Sequence, residues 1–326
     1  MNYFLISVSN RQNLDLCIKY ARAGFTNSIN GAWTFLEVNN GDYISFLYGA
    51  QVFNLYEVVE KKAIKNAENI GPWPPVTFSM SRRTYYFPFR VYLKPLREFT
   101  EPMVRPEFSY VAENLLLRGG YRRTHFQADR TTLQVVSQMG NIYNKPIDFF
   151  RDNSQTFEVL FIFKNNKNKD SPPEIFFFQE IILHSLIRQH LSIPQNLQDF
   201  FGKIGLNNLC SKDFEVLGEK ALPEGHVDIL IKEHSPRGHC KKIIIEIKTG
   251  KLQKKDLTQI KKYMDELGEE CIKGVLIGKD ASRILLKLLN KNKENITCLK
   301  YSFEGLDNNK NYSFEKLKSC LTITQL

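Results

Sequence analysis

Charged residues interrupt two apolar runs that otherwise have the composition of buried strands. Asp228 lies within the run 225–231, and Glu246 and Lys248 lie within the run 243–251. Acidic and basic side chains are rarely buried in a core strand unless they are paired or bind a metal. Because side chains alternate along a strand, Glu246 and Lys248 project from the same face. The pattern predicts a functional site on two neighbouring strands.

These residue types indicate the chemistry of that site. Two carboxylates converging from paired strands offer the oxygen ligands that a hard divalent cation such as Mg²⁺ prefers, and Lys248 adds a positive charge. The natural reaction is phosphodiester hydrolysis, in which the metal polarises the phosphate and lowers the pKa of a bound water. A helix predicted over 254–267 places Gln259 and Tyr263 on one face. The alternative interpretation of the three charged residues is a structural ion-pair network.

A family resemblance rests on these same residues, which are Asp228, Glu246-x-Lys248 and Gln259-x-x-x-Tyr263. Together they resemble the PD-(D/E)XK nuclease superfamily, in particular members with an added Gln-x-x-x-Tyr helix motif, over about residues 173–305. The resemblance implies an α/β fold with a central mixed sheet flanked by helices. It also implies cleavage of nucleic acid that depends on Mg²⁺, with Mn²⁺ as a substitute cation.

The resemblance also implies a role for each residue. The implied metal ligands are Asp228, Glu246 and the carbonyl group of Ile247, and Lys248 is the implied catalytic lysine. The remaining members of the implied catalytic set are Gln259, Tyr263 and Glu180, the last on the preceding helix. The chain departs from the common family pattern in having Val227 before the aspartate.

A second acid-x-lysine pattern occurs in the chain. Glu60-x-Lys62 has the spacing of Glu246-x-Lys248, but it is interpreted as the solvated end of a strand. Only the second copy follows an apolar strand, has an acid on the strand before it and is followed by the Gln-x-x-x-Tyr helix. The predicted site is therefore placed at Glu246.

Composition limits the class of protein. A chain of 326 residues with a formal net charge of +10 suggests two domains and favours an anionic partner such as nucleic acid. The six cysteines form no Cys-x-x-Cys pair, which argues against a zinc ribbon or a disulfide scaffold and favours a cytoplasmic location. We expect no membrane partner, because no signal-peptide pattern and no apolar run of about 20 residues is present.

The N-terminal half contains strand signals and one or two helices. The strongest is a hairpin with strands over 43–48 and 52–59, and an aromatic strand follows over 85–93. Several strands in a segment of this size suggest a small, strongly bent sheet or partial barrel. The hairpin and the aromatic strand resemble the EVE- and YTH-type domains of the PUA-like superfamily, over about residues 1–140. That resemblance implies a nucleic-acid reader, and several such domains hold a flipped, methylated base in an aromatic cage.

A base pocket needs aromatic faces, because a planar base stacks on π surfaces. The aromatic candidates for such a pocket are Phe25, Trp33, Trp73, Tyr85 and Tyr86. For Trp33, core packing is the favoured role. For the other four, core packing is the alternative role. Phe25 stands where the YTH members carry a cage tryptophan after the first helix.

Arginine is concentrated in the N-terminal half. Residues 1–143 contain 11 arginines and 5 lysines, and the remainder contains 4 arginines and 25 lysines. Guanidinium groups suit phosphate contacts. The arginines that we predict to contact the DNA backbone are Arg82, Arg83, Arg118, Arg122 and Arg123. The alternative is a solvated basic face.

These patterns predict three segments. A reader domain spans 1–143, a polar linker spans 144–172 and a nuclease domain spans 173–326, beginning with a helix over 175–190. The combination predicts an endonuclease that cleaves double-stranded DNA carrying a modified base, which it flips into the N-terminal pocket, in a restriction system. Cutting both strands needs two active sites, so a homodimer is expected. The alternatives are a structure-specific or repair nuclease and a non-catalytic nucleic-acid-binding protein.

Overall fold

The computed structural model has a mixed α/β fold. It describes residues 1–49, 51–77, 82–99, 124–150, 154–164, 171–222, 225–291 and 295–326. The chain divides into two compact units, Met1–Phe177 and Phe178–Leu326. Three of the predicted DNA-backbone residues, Arg118, Arg122 and Arg123, lie outside the described residues.

The first unit is built around one mixed sheet. Its described strands are β1 (Tyr3–Ser7), β2 (Arg22–Phe25), β3 (Tyr43–Tyr48), β4 (Gln51–Ala63), β5 (Val76–Thr77), β6 (Thr84–Tyr85), β7 (Phe89–Glu98), β8 (His125–Ala128), β9 (Asn141–Ile142), β10 (Leu160–Ile162) and β11 (Ile175–Phe177). Its described helices are α1 (Arg11–Lys19), α2 (Ile29–Glu37) and α3 (Arg130–Ser137). The main sheet has the order β2-β7-β4-β3-β1-β8, with β9 beside β7.

The predicted hairpin is confirmed as β3 and β4, which pair antiparallel from Tyr43↔Glu57 to Tyr48↔Gln51. Gly49 supplies the left-handed backbone of the turn, with φ +60°. The apolar side of the hairpin carries Phe46, which is fully buried in the core of this unit.

A buried aspartate connects three parts of this unit. Asp42 is 3% exposed, and its carboxylate accepts hydrogen bonds from the backbone N–H groups of Asn2 at 2.7 Å and Asn39 at 2.9 Å. The backbone carbonyl of Asp42 accepts a further bond from the N–H of Val58. The carboxylate of Asp42 therefore joins the start of β1 to the exit from α2, and its backbone carbonyl joins both to β4.

The second unit is built around a six-stranded mixed sheet. Its described strands are β12 (Phe214–Leu222), β13 (Gly225–Glu233), β14 (Lys242–Ile247), β15 (Lys251–Leu252), β16 (Cys271–Gly278), β17 (Asp280–Ala281), β18 (Ile296–Phe303), β19 (Tyr312–Ser313) and β20 (Leu321–Gln325). Its described helices are α4 (Glu180–Leu191), α5 (Pro194–Lys203), α6 (Lys254–Leu267), α7 (Arg283–Lys291) and α8 (Phe314–Cys320). The sheet order is β12-β13-β14-β16-β18-β20.

The connections of this sheet follow from its strand directions. β12, β13 and β14 are consecutive antiparallel neighbours, whereas β14, β16 and β18 run parallel. Parallel neighbours need a crossover, and α6 and α7 supply the two crossovers. The predicted helix over 254–267 is confirmed with the same bounds. None of the described helices is long and apolar enough to cross a membrane.

The predicted helix over 175–190 is wrong at its start. Residues Ile175–Phe177 form β11, which pairs in parallel with β10, and α4 begins only at Glu180 after the extended cap residue Gln179. A run of consecutive apolar residues suits a buried strand as well as a helix, and here the strand partner decides. The partner strand β10 lies within the segment 144–172, and its Phe161 is fully buried.

We predict that Asp42→Ala lowers the free energy of unfolding by about 2–3 kcal/mol, because it leaves the part-buried N–H groups of Asn2 and Asn39 without their acceptor. Urea unfolding measures the change. The matched control is Asp15→Ala, at an exposed ion pair with Arg11 on α1, which should change stability by less than about 1 kcal/mol. Equal effects of the two substitutions would show that the Asp42 bonds do not hold the unit together.

Candidate active site

The two predicted site strands separate at the site itself. β13 and β14 pair from Lys232↔Lys242 to Ile229↔Ile245, and Asp228 and Glu246 come next along the two strands. At this point the Asp228 Oδ2 atom accepts a hydrogen bond from the backbone N–H of Ile247 at 2.7 Å. A carboxylate thus takes the position that a strand carbonyl would otherwise occupy, which places the two acids beside each other.

Glu246 is the most buried member of the site, at 2% exposure. Its Oε1 atom accepts hydrogen bonds from Lys248 Nζ and from Gln259 Nε2, both at 2.8 Å. Its Oε2 atom is buried and has no hydrogen-bond partner among the described residues. One oxygen is therefore held by two donors, and the other remains available as a ligand.

Helix α4 reaches the end of β14 through Glu180. Its Oε1 atom lies 3.3 Å from Lys248 Nζ, and its Oε2 atom accepts a hydrogen bond from the Thr249 N–H at 3.1 Å. The Tyr301 hydroxyl, on β18, donates to the Thr249 carbonyl at 2.8 Å. Both backbone groups of Thr249, the residue after Lys248, are therefore hydrogen bonded, the N–H to Glu180 and the carbonyl to Tyr301.

The Gln-x-x-x-Tyr pair lies against the site on α6, whose first turn is fixed by a capping box between Gln253 and Asp256. Besides its bond to Glu246, the Gln259 amide donates to the Tyr263 hydroxyl at 3.1 Å. A Cβ atom on Gly225 would lie 2.5 Å from that hydroxyl oxygen. A side chain at the start of β13 would therefore displace the Tyr263 hydroxyl from this position.

The charges of the site do not balance locally. Burial, followed by the neighbouring charge of Asp228, raises the pKa of Glu246 to about 8, although Lys248 acts in the opposite direction. Burial alone would lower the pKa of Lys248, but its bond to Glu246 and the charges of Asp228 and Glu180 outweigh that effect and raise it. Three carboxylates surround one ammonium group, so a further positive charge would be stabilised here.

The donor set fits a hard cation. In the described part of the chain, no group of three His, Cys, Asp or Glu side chains has the geometry of a metal site. Mg²⁺ typically takes one or two protein carboxylates and completes its shell with water and substrate phosphate. Asp228 and Glu246, with its unpartnered Oε2 atom, supply such carboxylates, and the carbonyl of Ile247 stays a predicted third donor.

Sequence reasoning missed two side chains beside Asp228. His184 lies on α4 with its Nε2 atom 3.5 Å from Asp228 Oδ2, and its Nδ1 atom lies 4.0 Å from Glu219 Oε1. His184 could have been found, because it follows Glu180 by four residues and so shares its helix face. Nothing in the sequence around Glu219 indicates this position.

The structure places the predicted aromatic residues of the first unit in different environments. Phe25, Trp33 and Trp73 are buried, at 5%, 5% and 4% exposure. Trp33 packs against His125 with 4.4 Å between ring centroids, and Trp73 packs against Phe87 at 5.7 Å.

The other described candidates of this unit are more accessible. Tyr85 and Tyr86 are partly exposed, and Arg82 and Arg83 are exposed beside β6. The base pocket and the DNA-backbone contacts stay predictions.

Comparison with known proteins gives partial structural likeness. No protein-family model matches the chain, and no curated protein matches it. A repair endonuclease from Pyrococcus abyssi is 23% identical, with a TM-score of 0.23, over 31% of this chain and 43% of that one. The structure of an EndoMS–dsDNA2 complex is 23% identical, with a TM-score of 0.22, over 27% and 36%. The DNA modification-dependent restriction endonuclease AspBHI is 11% identical, with a TM-score of 0.21, over 86% and 64%. The chain spans less than half the length of the first two.

We predict that Glu246→Gln changes the pH dependence of stability in metal-free buffer. When folding raises the pKa of a carboxyl group, the group contributes to stability in full at any pH below its pKa in the unfolded state. This contribution to stability is lost as the pH rises through the pKa of the group in the folded state. Wild-type stability should therefore fall relative to Glu246→Gln between pH 4.5 and about 8, by about 2–4 kcal/mol in total.

Urea unfolding at several pH values with EDTA measures this difference. Glu60→Gln, at the exposed Glu60–Lys62 ion pair, is the matched control and should change stability little at any pH. A constant difference between wild type and Glu246→Gln across the range would mean that Glu246 is not held in an unfavourable charged state.

Proposed function

We propose that this protein is a Mg²⁺-dependent DNA endonuclease whose second unit hydrolyses phosphodiester bonds. The observation that carries the proposal is the buried Glu246 beside the half-buried Asp228 and Lys248, at the point where two strands separate, with Glu246 Oε2 lacking a hydrogen-bond partner among the described residues. A purely structural ion pair would leave one acid for each base and satisfy its oxygens. Here the acids outnumber the lysine, and one buried oxygen stays available.

Each residue has a defined part in the proposed reaction. Asp228, Glu246 and the Ile247 carbonyl would hold Mg²⁺, which when bound polarises the scissile phosphate and lowers the pKa of the attacking water. The Lys248 ammonium orients that water or stabilises the additional negative charge that develops on the phosphate. Gln259 fixes the Oε1 atom of Glu246 at 2.8 Å, which would leave the Oε2 atom to serve as the ligand.

Support for a DNA substrate comes from charge. The formal net charge of +10 and the concentration of arginine in residues 1–143 suit contacts to a phosphate backbone. We propose that the first unit is a PUA-like reader that flips a modified base out of double-stranded DNA, and that the protein acts in a restriction system. A homodimer would provide the two active sites that double-strand cleavage requires.

A second candidate function is a structure-specific or repair nuclease. It is favoured by the burial of Phe25, Trp33 and Trp73, since aromatic faces that pack inside the protein are not presented to a base. In that case the first unit would recognise mismatched, single-stranded or branched nucleic acid.

We predict that Asp228→Asn, Glu246→Gln and Lys248→Met each lower the rate of plasmid cleavage in Mg²⁺ by about 10³-fold, because each removes a metal ligand or the charge that stabilises the transition state. Nicking and linearisation of supercoiled DNA measure the rate. Glu60→Gln and Lys62→Met are matched controls at the same acid-x-lysine spacing in the exposed pair, and both should cut like wild type. Full cleavage by the Glu246 and Lys248 variants would remove the proposed site.

We further predict that, of three matched plasmids, the protein cleaves one of the two that carry N6-methyladenine or a 5-modified cytosine and leaves the unmodified one intact. Tyr85→Ala and Tyr86→Ala should lower this preference by about 10–100-fold, as expected for the loss of a base-stacking face. Tyr143→Ala, at a half-buried tyrosine of the same unit, is the control. Equal cleavage of all three plasmids would reject the modified-base reader and favour the second candidate function.

A further inference from the structure

Strand β12 has an irregular backbone at one residue. Glu219 has φ +43°, in the left-handed region that residues other than glycine rarely adopt. The register with β13 pairs Gly218 with Ile229 and Lys220 with Val227, so Glu219 lies opposite Asp228. Unfavourable backbone conformations of this kind cluster at functional sites, where the surrounding structure maintains them. The irregular residue is therefore the cross-strand neighbour of the predicted metal ligand.

A buried histidine lies between these two acids. His184 on α4 faces Asp228 Oδ2 with its Nε2 atom at 3.5 Å and Glu219 Oε1 with its Nδ1 atom at 4.0 Å. The three side chains are 9%, 13% and 15% exposed, in the order His184, Asp228, Glu219. The imidazole ring thus presents one nitrogen to each carboxylate.

The geometry around Asp228 shows what this ring contributes. Asp228 Oδ2 is the atom that accepts the Ile247 N–H at 2.7 Å, and the same atom faces His184. One carboxylate oxygen is thus located by the backbone of β14 on one side and by helix α4 on the other. Fixing this oxygen fixes the side-chain rotation of Asp228, and so the direction of its carboxylate plane.

We propose that His184 is a positioning residue for Asp228 and that Glu219, through its left-handed backbone, orients His184. Glu219, His184 and Asp228 then form a chain of contacts, centred on the buried His184, that sets the direction of the proposed metal-binding carboxylate. Partners of this kind commonly change metal affinity or activity by 10–100-fold. The proposal deepens the proposed nuclease function and rests on it for its catalytic consequence.

The competing explanation is that His184 and Glu219 only fill the core. Glu219→Gly separates the two explanations, because glycine adopts φ +43° without strain. A packing role predicts that Glu219→Gly loses stability and activity together. A positioning role predicts that the variant keeps its melting temperature and loses cleavage. Glu215→Gly, at a buried and regular position of the same strand, is the control and should lower the melting temperature.

The experiment combines kinetics with amide hydrogen exchange at Ile247, resolved by NMR in metal-free protein. We expect His184→Leu and Glu219→Gly each to lower kcat by about 10–100-fold with little change in KM. We also expect His184→Leu to lower the protection of the Ile247 amide about tenfold, while the amides of Ile243 to Ile245 keep their protection. His184→Gln keeps a nitrogen donor within reach of Asp228 and should restore most of both quantities.

Several outcomes would overturn the positioning role. The first is that His184→Leu leaves both kcat and the protection of the Ile247 amide unchanged. The second is that His184→Leu lowers the melting temperature and the protection of amides across the whole sheet. The third is that His184→Gln restores neither kcat nor the protection of the Ile247 amide. If the wild-type protein cuts no nucleic acid, the proposed function fails, and the exchange data on His184→Leu and His184→Gln still decide whether His184 positions Asp228.

Discussion

The hydrogen bond from the Ile247 N–H to the Asp228 carboxylate is the contact on which the second unit's site depends. In an undisturbed antiparallel pair the strands would bond through their backbones at this level, and Asp228 and Glu246 would face each other as like charges. The side chain replaces that backbone bond. As a result, the pairing of β13 and β14 stops after Ile229↔Ile245 without leaving the Ile247 N–H unsatisfied, and the two acids lie beside each other at that point.

The surrounding elements follow from that placement of the two acids. Helix α4 supplies Glu180, α6 supplies Gln259, and β18 supplies Tyr301, each bonded to a different atom near the end of β14. These contacts fix positions but do not neutralise the charge of the acids. Such an arrangement costs stability in the isolated protein, as is common where groups are held for binding or chemistry rather than for folding.

Two comparisons within the chain show how Glu246 differs from other acidic residues. Asp42 and Glu246 are both buried, yet the Asp42 carboxylate accepts bonds at both oxygens, whereas Glu246 keeps one buried oxygen without a hydrogen-bond partner among the described residues. Glu60-x-Lys62 and Glu246-x-Lys248 have the same spacing, and in both the acid and the lysine form an ion pair. Only the pair at Glu246 is buried beside a second acid. Burial and neighbours, rather than the motif, separate the two.

The sequence by itself determined that Asp228, Glu246 and Lys248 lie together, because alternation along two consecutive strands joined by a hairpin fixes which side chains share a face. For the same local reason it determined the helix over 254–267 and the placement of Gln259 beside Tyr263. Only the tertiary structure decided that 175–177 is a strand, that Phe25 and Trp73 are interior, and that His184 and Glu219 reach Asp228. Those facts depend on contacts between residues far apart in the chain and, for Glu219, on a backbone conformation that side-chain periodicity does not encode.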